Sequence, residues 1–404
     1  MMYYCVRSFP VLALCVALYL FPQWQLPGQT SLSSDQYFGQ IILEFERYAD
    51  AGGNTSFRPS WLDEIDLRTE SRNFDPDRQR YLLRISPTTG KIRKAQSRLH
   101  QGYQAQAALE LEEERRDWIE DAYDRWLKVY DNTRKLELQQ QLLQILTDQQ
   151  SVVIKLAAAS EASVKEVIEI GQDINEIQID IFALERALES LLPNAVQADF
   201  SDLISIEDIR QRVLQTRAQV FSPAYPDLEQ DLRDAEAEIQ LEKAEGKRIF
   251  DFFQLEYAGP HEDPWREKVN VGLGVNISLS SDRKLKIEEL NLEKKMIEQQ
   301  TTLSTLADTR RLNEHFSRID GLFQTLDYAL GVLQASNRQS EALVEKSSPD
   351  SFSTPSRQLY QKELVIKNEL QLLKIEQDIY EEYIRLLVIN DSLFQQPFLN
   401  YLKK

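Results

Sequence analysis

The chain has 404 residues, 28% of them charged and 42% apolar, with a formal net charge of −18. That balance supplies no basic face to neutralise phosphates and excludes nucleic acid as a partner. His100, His261 and His315 are scattered without a metal-ligand spacing, so neither a cofactor nor histidine chemistry is expected.

Thirteen Gly and fourteen Pro are few for this length, which predicts long uninterrupted elements. Behind Arg7, the apolar run Phe9–Phe21 has the layout of a secretory signal peptide, read as residues 1–28. Cys5 and Cys15 both lie inside it, so the mature chain is expected to hold no thiol, disulfide or cysteine metal site. Leu14 before Cys15 argues against a lipoprotein cleavage site. No later stretch has the apolar length of a spanning helix, so entry into a membrane falls to strands.

The first repeat is read as 29–193. Phe38, Ile41, Ile42, Phe45 and Tyr48 recur at helical spacing in a short amphipathic helix over Ser34–Asp50. Two strands follow over about 61–86. In the first, Ile65, Leu67, Thr69 and Ser71 alternate with Asp66, Arg68, Glu70 and Arg72; in the second, Tyr81, Leu83 and Ile85 share a face. A helical hairpin is predicted over about 91–192. Its outward arm has a seam at Ile119, Ala122, Trp126, Val129, Thr133, Leu136, Gln140 and Leu143. The returning arm runs through Val167, Ile170, Ile174, Ile177, Ile181, Leu184, Leu188 and Leu191 to Pro193.

After a connector at 194–206, the second repeat is read as 207–391. Its strands are expected over about 249–280, the first with Phe253, Leu255 and Tyr257 on one face. In the second, Val269, Val271, Leu273, Val275, Ile277 and Leu279 alternate without a break against Asn270, Gly272, Gly274, Asn276 and Ser278. A helical hairpin over about 283–391 carries Phe316, Ile319, Phe323, Leu326, Leu330 and Leu333 on one arm. Leu359, Ile366, Leu373, Tyr380 and Leu387 follow on the other. Residues 392–404 remain as a tail. One offset of 192 residues maps Ile85-Ser86 onto Ile277-Ser278, and Val167, Ile174, Ile181 and Leu188 onto Leu359, Ile366, Leu373 and Tyr380. A register shared by both ends of the hairpin marks a duplicated architecture.

The fold class is therefore mainly α with a small β part, a strand hairpin plus a long antiparallel coiled-coil hairpin used twice. Four strands are too few to close a barrel, and open edges are costly in lipid and invite pairing in water. Strands from several chains are expected to close one barrel, with the helices continuing below it as a tube. In that barrel Val269, Val271, Leu273, Val275, Ile277 and Leu279 are the candidate lipid-facing residues. Asp66, Arg68, Glu70, Arg72, Asn270 and Asn276 are the candidate lumen-facing ones, since a basic residue turned to lipid costs about 2–4 kcal/mol at the midplane. Trp61, Tyr81, Tyr257 and Trp265 suit either an aromatic girdle or ordinary strand packing. The Gly272-x-Gly274 pair lies within a strand and is no phosphate loop. No nucleophile–base–orienter set is visible, and the chain reads as no enzyme.

The segment Val269–Ile287 with its SSDRKLKI junction, the returning helices SVKEVIEI and STPSRQLYQKEL, and the entry PDLEQDLRDAEAEI together resemble the TolC-like outer-membrane efflux proteins. The resemblance covers nearly the whole mature chain and rests on the repeat plan. It implies a homotrimer with a twelve-stranded barrel in outer-membrane lipid and an α-helical tunnel through the periplasm. It implies docking to a periplasmic adaptor and an inner-membrane transporter, as the passive conduit of an efflux or type I secretion-like system. Glu161, Glu166, Glu169 and Arg357 become candidate pore-entrance residues, with a solvated helix surface as the plainer reading. The helix before the first strand is much shorter than the family's, and Gln358 stands at the second-repeat counterpart of Glu166. A periplasmic coiled-coil scaffold or adaptor that never inserts is the competing expectation.

Overall fold

The computed structural model describes residues 31–49, 56–71, 79–158, 164–192, 197–219, 221, 223–258, 269–275, 281–346 and 354–404. The expected signal peptide, the turn at Asp75–Asp77 and the two hairpin tips at 159–163 and 347–353 lie outside the described residues.

The first half comprises β1 (Ser31–Ser33), α1 (Ser34–Ala49), β2 (Leu62–Ser71), β3 (Gln79–Pro87), α2 (Gly90–Ala158) and α3 (Val164–Leu191). The second comprises β4 (Gln197–Asp199), α4 (Ile206–Ala218), α5 (Pro226–Gly246), β5 (Phe250–Ala258), β6 (Val269–Val275), α6 (Ser281–Lys346) and α7 (Thr354–Ile389), then a 3-10 turn at Ser392–Phe394. α2 and α6, with 69 and 66 residues, each run about 100 Å at 1.5 Å per residue. The absence of Pro from both lets the hydrogen-bond ladder continue that far. Where the pattern must stop, local chemistry stops it. Ser205 Oγ accepts from the Asp208 amide at 3.2 Å to open α4, and Pro226 sets the first turn of α5. The two halves repeat with offsets that drift: Leu62 and Phe250 start strands 188 residues apart, Gly90 and Ser281 helices 191 apart, Val164 and Thr354 helices 190 apart. The elements themselves differ in length, α2 from α6 by three residues and α3 from α7 by eight, so their ends do not keep a constant 192.

Packing concentrates in a belt midway along the long helices. There Tyr123, Trp126, Ile319, Ile379 and Tyr383 are shut off from solvent by Phe38 of α1, Ile209 and Val213 of α4, and Leu393 and Leu402 beyond α7. Phe38 sits 4.3 Å from the Tyr123 ring and Tyr37 stacks on Trp126 at 5.0 Å, between ring centroids. The segment that patterning leaves as a tail is thus part of the core. Its aperiodic sequence hides this, but the Tyr123 hydroxyl donates to the Leu399 carbonyl at 3.2 Å, and the Ile204 amide donates to that of Leu402 at 2.8 Å. β1 and β4 pair in parallel beside it.

Below the belt, Leu138, Leu142 and Leu146 of α2 are buried with Ile177 of α3 and with Ile366 and Leu373 of α7. Gln140 is exposed, so the α2 seam expected through Leu136, Gln140 and Leu143 turns instead through Leu138, Leu142 and Leu146. The reason is that α2 packs on α3 and α7 at once, and the line between two partners does not follow a two-helix seam. Above the belt α5 lies between α2 and α6. At Gly102 of α2 a Cβ would collide with the Asp234 carboxylate of α5. At this end of the molecule the four longer strands form one antiparallel sheet in the order β2-β3-β5-β6.

Candidate functional site

Strand register divides the sheet into two chemically different faces. Ile65, Ile85, Phe253 and Leu273 align across the four strands in one row, Leu67, Leu83, Leu255 and Val271 in the next, and Thr69, Tyr81, Tyr257 and Val269 in a third. Side chains two apart on a strand share a face, so all twelve lie on one side. The described part of the chain leaves this apolar side open: Leu67 is 69% exposed, Val271 63%, Leu273 66% and Val275 62%. β2, β3 and β5 hold 10, 9 and 9 residues, the length a tilted strand needs to cross a bilayer.

The other face is charged and polar. Asp66, Arg84, Gln254 and Gly272 form one row, and Arg68, Leu82, Glu256 and Asn270 the next. Arg68 pairs with Asp66 at 2.8 Å, Arg80 with Glu256 at 3.5 Å and Arg84 with Asp251 at 3.5 Å. Glu70 stands opposite Arg80. Asp66, Arg68, Glu70 and Asn270 thus share a face, while Arg72 and Asn276 lie outside the described residues. Val269, Val271, Leu273 and Val275 share the apolar face, and Ile277 and Leu279 also lie outside. Tyr81 and Tyr257 stack with ring centroids 6.3 Å apart at the end of the sheet far from the helices. Trp61 stands at the helical end, where its carbonyl accepts from the Thr88 amide at 2.9 Å, and Trp265 is outside the description.

A shift of register between Phe250 and Phe252 sets the Phe252 ring over Gly274 on the polar face, with the Arg84 guanidinium 3.5 Å above it. Strict alternation gives no sign of this aromatic. The two glycines of β6 differ in consequence. A Cβ at Gly274 runs into the Phe252 ring, whereas one at Gly272 makes an ordinary 3.6 Å contact with Gln254.

At the far end, near the tips, the Tyr360 hydroxyl of α7 donates to Glu166 Oε1 of α3 at 3.1 Å, joining the two helical hairpins. Burial and then this hydrogen bond hold the Tyr360 pKa above its ordinary value. Glu169 pairs with Lys165 at 3.4 Å. Glu161 lies outside the described residues, and of Arg357 only the backbone, in the first turn of α7, is described. Tyr360 was not singled out from the sequence. Its position two residues beyond Gln358, the counterpart of Glu166, was the available signal.

In the belt, buried Glu382 is held by His315 Nδ1 at 2.5 Å, Arg385 at 3.5 Å and Arg318 at 3.8 Å. Burial raises the Glu376 carboxyl above the usual carboxylate range, with Arg134 opposing. Asp35 of α1 is held below that range, first by the hydrogen bond from Lys403 and then by that from Asn400. Among the described residues no cluster of three or more side chains suits a metal ion, and no helix is long and apolar enough to cross a membrane.

No protein-family model matches the chain, and no curated protein matches it by sequence. Solved structures match it along nearly its full length. A membrane protein from Pseudomonas aeruginosa superposes with a TM-score of 0.56 at 13% identity, over 87% of this chain and 89% of that one. The outer-membrane channel OprN gives 0.53 at 11%, over 89% and 86%. The Campylobacter jejuni outer-membrane channel CmeC gives 0.52 at 10%, over 91% and 85%. The fold is TolC-like. At such identities the likeness is one of fold, carried by the paired strand hairpins and long helices. Along this fold the two-faced sheet stands at one end and the Glu166–Tyr360 contact near the other.

Proposed function

We propose that the chain is the outer-membrane channel component of an efflux or type I secretion-like system, a passive homotrimeric conduit from periplasm to exterior. The observation that carries this reading is the sheet: apolar on one face, charged on the other, with β2 and β6 as open edges among the described residues. Three copies supply twelve strands, enough to close a barrel with a water-filled lumen. Closure pairs the edge N–H and C=O groups, which in lipid cost several kcal/mol each if left open. The exposed apolar face, Leu273 and Val271 included, turns to lipid, and Asp66, Arg68, Glu70 and Asn270 line the lumen. The long helices continue the conduit into the periplasm. Their tips, where Glu166 and Glu169 stand, meet a periplasmic adaptor and an inner-membrane transporter. The structures that share the fold include proteins described as outer-membrane channels, which supports the same role here.

The test compares Leu273→Arg with Asn270→Arg in outer-membrane fractions and planar bilayers. The first puts a cation into lipid at about 2–4 kcal/mol and is expected to abolish insertion. The second is expected to insert and shift conductance toward anions. Equal effects would remove the assignment of faces. Recovery of the unaltered protein wholly in soluble periplasm, with no conductance, would favour the scaffold reading.

A further inference from the structure

Four arginines stand on or beside the polar face of the sheet, and their partners differ. Arg68 Nε lies 2.8 Å from the Asp66 carboxylate. Arg248 gives Nη1 to Asp63 at 2.6 Å and its other nitrogens to the Asp251 and Phe250 carbonyls at 3.1 and 3.4 Å. Arg80 approaches Glu256 only to 3.5 Å, and 58% of its side chain is exposed. The first two are occupied and the third is loosely held.

Arg84 is both fixed and under-paired. Its guanidinium carbon stands 3.5 Å from the centre of the Phe252 ring, a van der Waals separation that only a face-on stack allows. The ring is itself held, since it fills the space over Gly274 where a Cβ would collide with it. Of the N–H donors that the guanidinium carries, one makes a hydrogen bond among the described residues, from Nη2 to Asp251 at 3.5 Å. Nε is buried without a partner among those residues. The side chain is 35% exposed, and strand register turns it to the polar face. A cation pinned on an aromatic ring, with donors still open, is built to receive an anion.

We infer that Arg84 is an oxyanion seat on the lumen wall and takes the carboxylate of a small organic anion in transit; the inference rests on the conduit reading above. The planar fork of a guanidinium matches a carboxylate with two parallel hydrogen bonds. Phe252 is the positioning residue: it orients the fork before the anion arrives, so little freedom is lost on binding. Asp251 tempers the seat, since its carboxylate shares Nη2. A site on a transport route has to release what it holds, and weak binding suits that. A chain with a net charge of −18 disfavours anions on the whole, and a fixed cation offers them one favourable step. Arg84 lies three residues before the end of β3, where the sheet gives way to α2.

The test is saturation-transfer difference NMR of benzoate over detergent-purified protein, with the conductance of the same preparation read in planar bilayers. Benzoate is expected to receive saturation from the unaltered protein, and Arg84→Gln to lower the transfer by about fivefold or more. Arg310→Gln removes the same charge from an exposed position on α6 and is expected to leave the transfer as it was. Phe252→Leu should lower it by about threefold at an unchanged melting temperature, because the fork loses its support. Benzamidine, the same ring with a cationic group, should receive no more than benzoate does from Arg84→Gln. Equal transfer from the unaltered protein and Arg84→Gln, with conductance intact, would overturn the seat and leave the conduit standing. Should Arg84→Gln fail to fold, unchanged transfer in Phe252→Leu would overturn the seat in its place. A preparation that never conducts would overturn the conduit and the seat together.

Discussion

At the scale of single residues, the informative positions are those where two groups compete for space or charge. Gly274 exists because the bulge in β5 lays Phe252 across it, while Gly272 meets nothing closer than ordinary contact. Gly274→Ala is therefore expected to destabilise by about 1–3 kcal/mol through overpacking, and Gly272→Ala to change little. Thermal melts of the purified protein read the difference, and Phe252→Ala should relieve the Gly274→Ala defect in a double-mutant cycle. Equal effects of the two alanines, or no relief, would contradict the packing. Glu376 is a second such position. Its folded pKa is raised by burial, so the charged form opposes folding at neutral pH, and the penalty disappears as pH falls through the folded pKa. Glu376→Gln should then melt higher than wild type at pH 7, with the gap closing as pH is lowered into the carboxylate range. A gap independent of pH would assign the effect to something other than charge.

At the scale of elements, the sequence was legible wherever one period ran long enough. Val269, Val271, Leu273 and Val275 announced a two-faced strand, and Leu359, Ile366, Leu373, Tyr380 and Leu387 a seam that is buried from Ile366 onward and only half-buried at Leu359. It was not legible where a three-residue strand paired at a distance, as in β1 with β4, or where α2 divided its face between two partners. The contact between Tyr360 and Glu166 was missed for a related reason, since hydrogen bonds between helices carry no period. That contact is one polar tie between the hairpins near their tips, beside the bond from Gln149 Nε2 to Glu363 Oε2 at 2.7 Å. Tyr360→Phe should raise amide exchange near Glu166 and Tyr360 about fivefold, matching about 1 kcal/mol for a hydrogen bond, without altering exchange in the belt. Unchanged exchange around Glu166 and Tyr360 would show that the tie carries no load.

At the scale of the whole molecule, two thin ends flank one thick middle. The belt joins the first described helix to the last residues: Asn400 Nδ2 donates to Ser34 Oγ at 2.8 Å, Ser34 Oγ donates to Asp202 at 2.9 Å, and Leu402 is buried. Leu402→Ala should lower the free energy of unfolding by about 2–5 kcal/mol in denaturant melts, while Leu399→Ala, more than half exposed, should stay within about 0.5 kcal/mol. Similar losses at both sites would mean that the C-terminal segment is not core.

The belt also sets an order in time. Ser34 and Leu402 lie beside the same packed layer, but 368 residues of chain separate them. A chain emerging from its N-terminus holds α1 and most of α2 early, yet Trp126, Ile204 and Ile379 cannot be sealed until Leu393 and Leu402 arrive. The half-made polypeptide is thereby kept from completing this packed layer until the segment from Leu393 to Leu402 has been made.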